Sequence, residues 1–278
     1  MITRVCISIN NRCNLKCRYC HFIEKEQSIE PAAMDIPLIL DNIRSHIEKH
    51  NIKLFKIGFV GNGEPLLEYD LLKSCIERID DLIRAGLVAA YTITNGTVFT
   101  RDMIAWLHDH KVNVGVSIDG IKEIHDRWRC HSHRKVMQGI ELYREVTGSW
   151  PSLNCTVGQD VLDRVDETIE FFKAFDSRIT FSRMTGRYGI SIEQYREFLD
   201  RAAAVLNVRR GGYDCTMYGG KCAAGMDNVF IANGKIFICG NCVDIPTPFT
   251  SDTPLDQVHF NLPEFDRNYC YKESVLKR

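Results

Sequence analysis

The chain alternates short apolar runs rich in β-branched residues with longer segments in which apolar residues recur every three or four positions. The first pattern is typical of buried strands and the second of amphipathic helices. The pattern predicts six strands, over residues 5–9, 54–60, 89–94, 112–118, 153–157 and 178–182. It predicts five helices between them, over residues 36–50, 71–84, 101–110, 135–146 and 161–175.

Strict alternation of strand and helix predicts right-handed βαβ crossovers and therefore a parallel sheet in an α/β fold. Six units are too few for a complete eight-unit barrel, so we predict a partial (β/α)6 barrel of the TIM type. Ligands bind at the carboxyl ends of the strands in such folds. We therefore expect the functional residues to follow the strands directly.

The alternation stops after residue 185. Ser191 and Gln194 have the spacing of a capping box, which predicts one more helix to about residue 206, and the glycines at 211 and 212 indicate a linker. Asn233-Gly234 between two apolar runs predicts a β-hairpin. We predict a barrel domain over residues 1–186, followed over residues 187–278 by a linker helix and a small cysteine-rich domain that contains the hairpin.

Composition excludes several classes of protein. Thirty-five Lys and Arg against 36 Asp and Glu give a formal charge of -1, so no overall field attracts nucleic acid or an acidic membrane, and we predict neither as a partner. The chain shows no signal peptide and no apolar run near the ~18 residues of a membrane span. We predict a cytoplasmic protein, in which the 12 cysteines bind metal or do redox chemistry rather than form disulfides.

Three cysteines, Cys13, Cys17 and Cys20, lie within eight residues just after the first predicted strand. Three thiolates at this spacing would repel each other unless a metal neutralised them. Residues 17–21 also spell a c-type haem attachment site, which leaves Cys13 unexplained. Zinc could take the three thiolates and His21, although Cys20 and His21 are adjacent. A [4Fe-4S] cluster usually takes four thiolates, so three would leave one iron open to another ligand.

This CxxxCxxC segment, with Tyr19 before its third cysteine, resembles the signature of the radical S-adenosylmethionine (SAM) superfamily. The resemblance implies that the amino and carboxylate groups of SAM chelate the open iron, and that Tyr19 belongs to the cofactor site. It also implies reductive cleavage of SAM to methionine and a 5′-deoxyadenosyl radical, which abstracts hydrogen from a substrate. An external one-electron reductant of the flavodoxin or ferredoxin type is then required.

Segments after the second and third predicted strands resemble further motifs of that superfamily. One is similar to the GGEP segment, whose backbone and glutamate bind the SAM amino group, and consists of Gly61, Asn62, Gly63, Glu64 and Pro65. Asn62 departs from the usual second glycine. Thr94 and Asn95 open a turn that resembles the one contacting the ribose and carboxylate of SAM.

Residues 117–129 resemble the SIDG-x-x-E-I-H-D-x-x-R stretch of members that carry a SPASM or twitch extension. Ser117 and Arg129 are therefore candidates for polar contacts to SAM, and Asn154 on the fifth strand is another. Asp119 is a candidate base for a substrate proton. Cys130, between Arg129 and a histidine, is a candidate donor of a hydrogen atom to a substrate radical.

The last quarter of the chain holds a second group of cysteines: Cys215, Cys222, Cys239, Cys242 and Cys270. Cys222-x11-Gly234-x4-Cys239 resembles the first half of the SPASM pattern, but the further CxxCx5CxxxC run is missing. The resemblance implies one auxiliary [4Fe-4S] cluster held by four of the five thiols, with Cys242 and Cys270 competing for the fourth position. Four thiolates also suit zinc, so a zinc ribbon remains an alternative.

SPASM and twitch relatives mostly modify ribosomally made peptides or proteins by crosslinking, epimerisation or oxidation. We therefore expect a radical SAM enzyme acting on a peptide. The alternatives are a twitch-type dehydrogenase or epimerase of an aminosugar or other small alcohol, an activase of a glycyl-radical enzyme, and a non-enzymatic zinc adaptor. Cys13 follows the first strand almost at once, so a leader peptide would be bound by the barrel rim or by a separate protein.

Overall fold

A computed structural model describes residues 1–20 and 33–275 of the chain. Six parallel strands lie side by side in the order of the sequence, which confirms the predicted partial barrel. They are β1 (Arg4–Ile7), β2 (Phe55–Phe59), β3 (Val88–Thr94), β4 (Asn113–Ser117), β5 (Ser152–Val157) and β6 (Ile179–Arg183). Each strand lies within three residues of its predicted position at either end.

The helices connecting the strands are α1 (Ile36–His50), α2 (Tyr69–Arg84), α3 (Arg101–Asp109), α4 (Lys122–Trp128), α5 (His133–Thr147), α6 (Gln159–Leu162) and α7 (Val165–Lys173). The helix α4 was not predicted. The single helix predicted over residues 161–175 is wrong in one respect, because the chain breaks at Arg164, where φ is -134°. Two helices, α6 and α7, therefore follow β5.

The strands bury their two faces to different extents. On β5, Leu153 and Cys155 are buried against the helices, whereas Asn154 and Thr156 point the other way and are half-buried. Side chains of successive strand residues point to opposite faces, so one face belongs to the core and the other to the interior of the open barrel. That interior is polar near the carboxyl ends of the strands and can receive a ligand.

After β6 the chain forms α8 (Ile192–Ala203), whose capping box between Ser191 and Gln194 is present as predicted. Two short strands, β7 (Tyr213–Asp214) and β8 (Lys221–Cys222), pair with each other. The predicted hairpin is β9 (Asn228–Ala232) and β10 (Lys235–Phe237), and its turn residues Asn233 and Gly234 have φ of 48° and 71°. Both lie in the left-handed region that a type I′ turn requires.

The hairpin is part of the barrel sheet. Strand β9 pairs in parallel with β1, with Val5 opposite Val229 and Ile7 opposite Ile231, so the sheet has eight strands. The sequence predicted the hairpin but gave no indication of this pairing. The domain boundary after residue 186 stays a prediction.

The last helix, α9 (Tyr271–Val275), ends the described residues. In residues 1–20 and 33–275 no helix combines the length and the apolar composition that crossing a bilayer requires.

Candidate active site

The loop that carries Cys13, Cys17 and Cys20 follows β1 directly, at the carboxyl end of the sheet. The Sγ atom of Cys13 accepts a hydrogen bond from the backbone N–H of Leu15 at 3.4 Å, and the amide nitrogen of Asn95 lies 3.9 Å from the same sulfur. N–H groups directed at cysteine sulfur stabilise thiolate ligands of iron-sulfur clusters. The surroundings of Cys13 therefore suit a thiolate ligand of an iron-sulfur cluster.

The electrostatics of this loop disfavour free thiolates. Burial is the main cause that raises the pKa of the Cys17 thiol to about 12, with smaller contributions from Asp119, Cys20 and Cys13 and an opposing effect of Arg129. Burial also raises the pKa of Cys13. Three ionised thiols could not coexist here without a bound metal, so the donor set fits an iron-sulfur cluster. His21, a ligand in the zinc and haem alternatives, lies outside the described residues.

The loop Gly61-Asn62-Gly63 packs directly against the cysteine loop. A Cβ atom added to Gly63 would lie 1.8 Å from Oδ1 of Asn10 and 2.3 Å from the carbonyl oxygen of Arg12, so only glycine fits there. Asn62 donates from its backbone N–H to Ser8 at 3.0 Å and from its side chain to Asn11. Asn62, the departure from the usual motif, thus joins this loop to the start of the cysteine loop.

Glu64 connects the ends of β2 and β3. One carboxylate oxygen accepts hydrogen bonds from Thr94 Oγ1 at 2.6 Å and from the backbone N–H of Leu66 at 3.1 Å, and the other accepts from the backbone N–H of Asn95 at 2.7 Å. Burial raises the pKa of Glu64. The sequence motif is therefore assembled as one unit, in which Pro65 begins the short 3-10 turn after Glu64. Binding of the SAM amino group by this unit stays a prediction.

Sequence reasoning missed Asn14 and Thr97, which join the predicted residue Asn95 in a polar network that fixes the cysteine loop. Asn14 accepts a hydrogen bond from Asn95 Nδ2 and donates to Thr97 Oγ1, both at 2.8 Å, and Thr97 also donates to Asn95 Oδ1 at 2.7 Å. The only signal in the sequence was the position of Asn14 between the cysteines. This network holds the turn after β3 against the loop that would carry the cluster.

A buried ionic group lies at the ends of β4 and β5. Oδ2 of Asp119 accepts hydrogen bonds from Tyr19 Oη at 2.6 Å and from Arg129 Nε at 2.9 Å, and Oδ1 accepts from the backbone N–H of Thr156. The guanidinium carbon of Arg129 also lies 5.4 Å from the centre of the Tyr19 ring. Three predicted site residues, Tyr19, Asp119 and Arg129, are therefore brought together.

This grouping bears on the role predicted for Asp119. Burial disfavours the charge on Arg129, but Asp119, Tyr19 and Cys17 outweigh it and hold the pKa of Arg129 well above its ordinary value. Both oxygens of Asp119 are occupied and its side chain is fully buried. The geometry is that of an anchor for Arg129 and Tyr19, and it opposes a free base, a role that stays untested.

His125 also contacts this ionic group through a hydrogen bond to its backbone. Burial lowers the pKa of His125 to about 4, so its imidazole is neutral at neutral pH. Nδ1 accepts a hydrogen bond from the backbone N–H of Asp119 at 3.2 Å, so Nε2 carries the hydrogen and donates to Ser132 at 3.0 Å. Ser132 in turn donates to the carbonyl of Arg129 at 2.6 Å. The His125–Ser132 link fixes the backbone at both ends of the ion pair.

Two further predicted residues are neighbours on the sheet. Ser117 pairs in register with Asn154, so their side chains project from the same face at the ends of β4 and β5. A Cβ atom on Gly115 would lie 2.5 Å from the Asn154 amide, so glycine makes room for it. Contacts of Ser117 and Asn154 to SAM stay predictions.

Cys130 contacts the cysteine loop from outside. Its exposed thiol accepts a hydrogen bond from the backbone N–H of Lys16 at 3.2 Å, and its φ of 54° is in the left-handed region. The contact joins residues 114 positions apart in the sequence. Delivery of a hydrogen atom by Cys130 stays a prediction.

The five C-terminal cysteines also converge. Cys239 and Cys242 have their sulfur atoms 3.4 Å apart, and Cys270 lies 3.6 Å from the side-chain amide of Asn241. Cys215, Cys222 and Cys239 lie near the ends of β7, β8 and β10. Five reduced thiols in one region can supply the four ligands of a cluster.

The pKa of Cys215 indicates which of the other four C-terminal thiols act on it. Burial raises the pKa of Cys215 to about 12, and the neighbouring thiols that add to the effect are Cys239, Cys270 and Cys222. Cys239 likewise raises the pKa of Cys270. Cys215 is thus influenced by at least three of the other thiols.

The fold and the polar residues at its mouth define a class of protein. The model of the radical SAM superfamily matches residues 7–172, more than half of the chain, so the chain belongs to that superfamily. This confirms the resemblance inferred from the cysteine spacing. Members are enzymes that use a [4Fe-4S] cluster and SAM.

Particular relatives narrow the comparison. The chain is 24% identical over 210 residues to a cysteine-type anaerobic sulfatase-maturating enzyme of Clostridium novyi, an alignment covering 69% of this chain and 56% of the relative. It is 26% identical over 223 residues to a serine-type enzyme of that name from Bacteroides thetaiotaomicron, covering 74% and 54%. The chain therefore spans about half the length of these relatives.

Two solved structures share the fold. Native anSMEcpe with bound AdoMet and Cp18Cys peptide superposes with a TM-score of 0.71 at 18% identity, over 91% of this chain and 78% of that one. SuiB of Streptococcus suis bound to S-adenosylmethionine superposes with a TM-score of 0.69 at 14% identity, over 92% and 62%. The likeness extends beyond β6 into the cysteine-rich region, because it covers nine-tenths of the chain.

Proposed function

We propose that this radical SAM enzyme removes hydrogen from a residue of a ribosomally made peptide or protein. The observation that carries the proposal is the presence, in one chain, of an open three-cysteine loop and a second group of five thiols, three of which are buried. The sequence relatives named above are maturases of sulfatases, which are proteins. An open barrel mouth can also admit a segment of a peptide substrate.

The residues of the first loop have distinct tasks in this proposal. Cys13, Cys17 and Cys20 hold a [4Fe-4S] cluster and leave one iron free. When bound, the cluster supplies the electron that cleaves SAM to methionine and a 5′-deoxyadenosyl radical. Glu64 and Asn95 keep the adjoining loops in position through the hydrogen bonds described above.

The second group of thiols holds one auxiliary [4Fe-4S] cluster. We assign Cys215, Cys222, Cys239 and Cys270 as its ligands, because the thiols of the last three raise the pKa of the first. Cys242 is the remaining thiol and lies beside Cys239. Four protein ligands would leave the cluster closed, which suits acceptance of one electron from the substrate radical as that radical loses a proton and is oxidised. Single replacement of Cys270 by Ala should lower the iron content, whereas replacement of Cys242 should not.

The test is an anaerobic reaction of the reconstituted protein with SAM, a one-electron reductant and peptides that contain Cys or Ser. Mass spectrometry should find peptides that have lost two hydrogen atoms, together with 5′-deoxyadenosine. The Cys17→Ala protein is the matched control and should yield neither.

The outcomes separate the alternatives. Oxidation of an aminosugar or small alcohol, with all peptides unchanged, would favour the twitch-type dehydrogenase. A glycyl radical formed on a partner enzyme would favour the activase. Full iron content without any 5′-deoxyadenosine would contradict the proposal at its first step. Dependence on a flavodoxin, a ferredoxin or a separate leader-binding protein can be measured in the same assay.

A further inference from the structure

Three metal-ligating side chains converge away from both groups of thiols, where α1 meets the C-terminal segment. His46 and His50 are one turn apart on α1, and Asp256 belongs to a 3-10 turn at Leu255–Gln257. Oδ1 of Asp256 lies 2.7 Å from His46 Nδ1 and 2.6 Å from His50 Nε2. Within residues 1–20 and 33–275 this is the one group of three His, Cys, Asp or Glu residues whose ligand atoms all lie within 4.8 Å of one another.

The hydrogen bonds of His46 show which ring nitrogen is available. Its Nε2 lies 2.9 Å from the carbonyl oxygen of Ile2, which can only accept, so Nε2 carries the hydrogen. Nδ1 then directs a lone pair at a carboxylate oxygen of Asp256, which is also an acceptor. Two acceptors 2.7 Å apart hold a proton between them, and a metal ion would displace that proton while the two atoms move apart, since each then lies about 2.0–2.2 Å from the ion.

We propose that His46, His50 and Asp256 bind one divalent metal ion of the zinc type, with water in the fourth position. Imidazole nitrogen and carboxylate oxygen are zinc ligands, at about 2.0–2.2 Å from the ion. Histidines four residues apart share one face of a helix. The hydrogen bond from His46 to a backbone carbonyl is the contact that orients metal-bound histidine in known sites.

The exposure of the three side chains suits a site that is loaded from solvent. His46 is buried, at 4% exposure, whereas the side chains of His50 and Asp256 are 33% and 27% exposed. One ligand is thus fixed within the core, and the other two face water, where an ion can enter and keep a water ligand.

Lys49 sets the strength of the site. Its Nζ lies 2.6 Å from Oδ2 of Asp256, the oxygen that the imidazoles do not use. The ammonium group therefore leaves Oδ1 to the metal but opposes it by charge repulsion. Removal of this charge should strengthen metal binding while it weakens the metal-free protein.

The metal would join three parts of the chain. His46 contacts Ile2 just before β1, the two histidines belong to α1, and Asp256 lies in the segment that follows the hairpin. Asn42 on α1 makes a second contact to this segment, donating to the carbonyl of Asp252 at 2.9 Å. An ion bound by the folded state alone stabilises it by mass action. The ion thus acts as a brace between the barrel and the cysteine-rich region.

The experiment adds Zn²⁺ to the cluster-loaded protein, removes the excess by gel filtration and counts zinc by mass spectrometry. Wild type should retain one zinc ion per chain, and His50→Ala should bind at least about tenfold more weakly, the size of effect typical of disturbed metal sites. His108→Ala, which replaces an exposed histidine on α3, is the matched control and should bind like wild type. No retained zinc in wild type, or equal zinc in wild type and His50→Ala, would overturn the proposal.

Two further measurements distinguish this site from zinc binding at free thiols and test the effect of Lys49 on zinc affinity. Zinc X-ray absorption should show nitrogen and oxygen neighbours at about 2.0–2.2 Å, and sulfur at about 2.3 Å would overturn the site. Lys49→Gln should bind zinc more tightly than wild type. Unchanged or weaker binding in that variant would contradict the predicted competition.

Discussion

The two groups of cysteines differ in how far the protein covers them. Cys13 is exposed, and Cys17 and Cys20 are half-buried, at the mouth of the barrel. Cys222 and Cys270, in contrast, are buried in the C-terminal group. The first group has polar side chains and backbone N–H groups around it, and these can contact a small polar co-substrate.

Part of the C-terminal group lies in apolar surroundings. Ala224 and Ile238 pack with Cys222 and Cys242 in a small core of their own. An apolar, covered site protects a cluster from water and tunes its potential, because burial and hydrogen bonding to sulfur set that potential. This difference supports the proposed division of roles, in which the first site would act on a ligand and the second would hold a closed cluster.

Removing two thiols of the C-terminal group should give the largest difference between the two groups of cysteines, in iron content and in product formation. Cys222→Ala combined with Cys239→Ala should lower the iron content from about eight to about four per chain. Product formation should cease, while 5′-deoxyadenosine still forms, because the first loop is intact. Iron analysis and chromatography of the reaction check both.

The matched control is Cys75→Ala combined with Cys155→Ala, which removes two buried thiols of the barrel core. It should keep all the iron. If the Cys222 and Cys239 double variant kept about eight irons, the auxiliary cluster would be ruled out.

Breaking the buried ion pair at the mouth should give the next largest effect. Asp119→Ala leaves Arg129 buried without a counter-charge, so we expect a loss of about 3–5 kcal/mol in the free energy of unfolding. Asp81→Ala, which breaks an exposed pair with Arg44, should cost less than about 1 kcal/mol. Denaturant unfolding measures both, and equal losses would contradict the anchoring role of Asp119.

The same site should respond to pH. His125 has a pKa of about 4 in the folded chain against 6.5 ordinarily, so between these values the unfolded chain binds a proton that the folded chain does not. Stability should therefore fall as pH drops from 6.5 to 4, by about 3 kcal/mol. His125→Asn should remove most of that slope and His108→Ala should keep it. Parallel slopes in wild type and His125→Asn would show that another group is responsible.

The smallest effect concerns the fit between loops. Gly63→Ala places a Cβ atom against the backbone of Arg12, so we expect a loss of about 1–3 kcal/mol and slower SAM cleavage. Gly240→Ala, beside the second group, meets Phe230 at an ordinary 3.4 Å and should change little. Thermal unfolding and 5′-deoxyadenosine formation compare the two, and a harmless Gly63→Ala would refute the close contact.

Much of this site was predictable from local patterns. The strands follow from apolar runs, and Cys13, Glu64, Asn95 and Asp119 all come directly after strands, where a parallel sheet collects them. The hairpin follows from Asn233-Gly234 alone.

Other features depend on contacts between distant parts of the chain. The pairing of β9 with β1 joins residues more than 220 apart in the sequence, and the contact of Cys130 with Lys16 joins residues 114 apart. No local pattern encodes such contacts. The choice between Cys242 and Cys270 likewise depends on how the thiols are arranged in three dimensions.

The most direct test of the central claim is the amount of 5′-deoxyadenosine that the reconstituted protein forms from SAM under anaerobic reduction, with Cys17→Ala as the comparison. Wild type should form it, and Cys17→Ala should not and should lack about four irons. Equal formation by both proteins, or none by a fully iron-loaded wild type, would contradict the assignment of Cys13, Cys17 and Cys20 as the site of radical initiation.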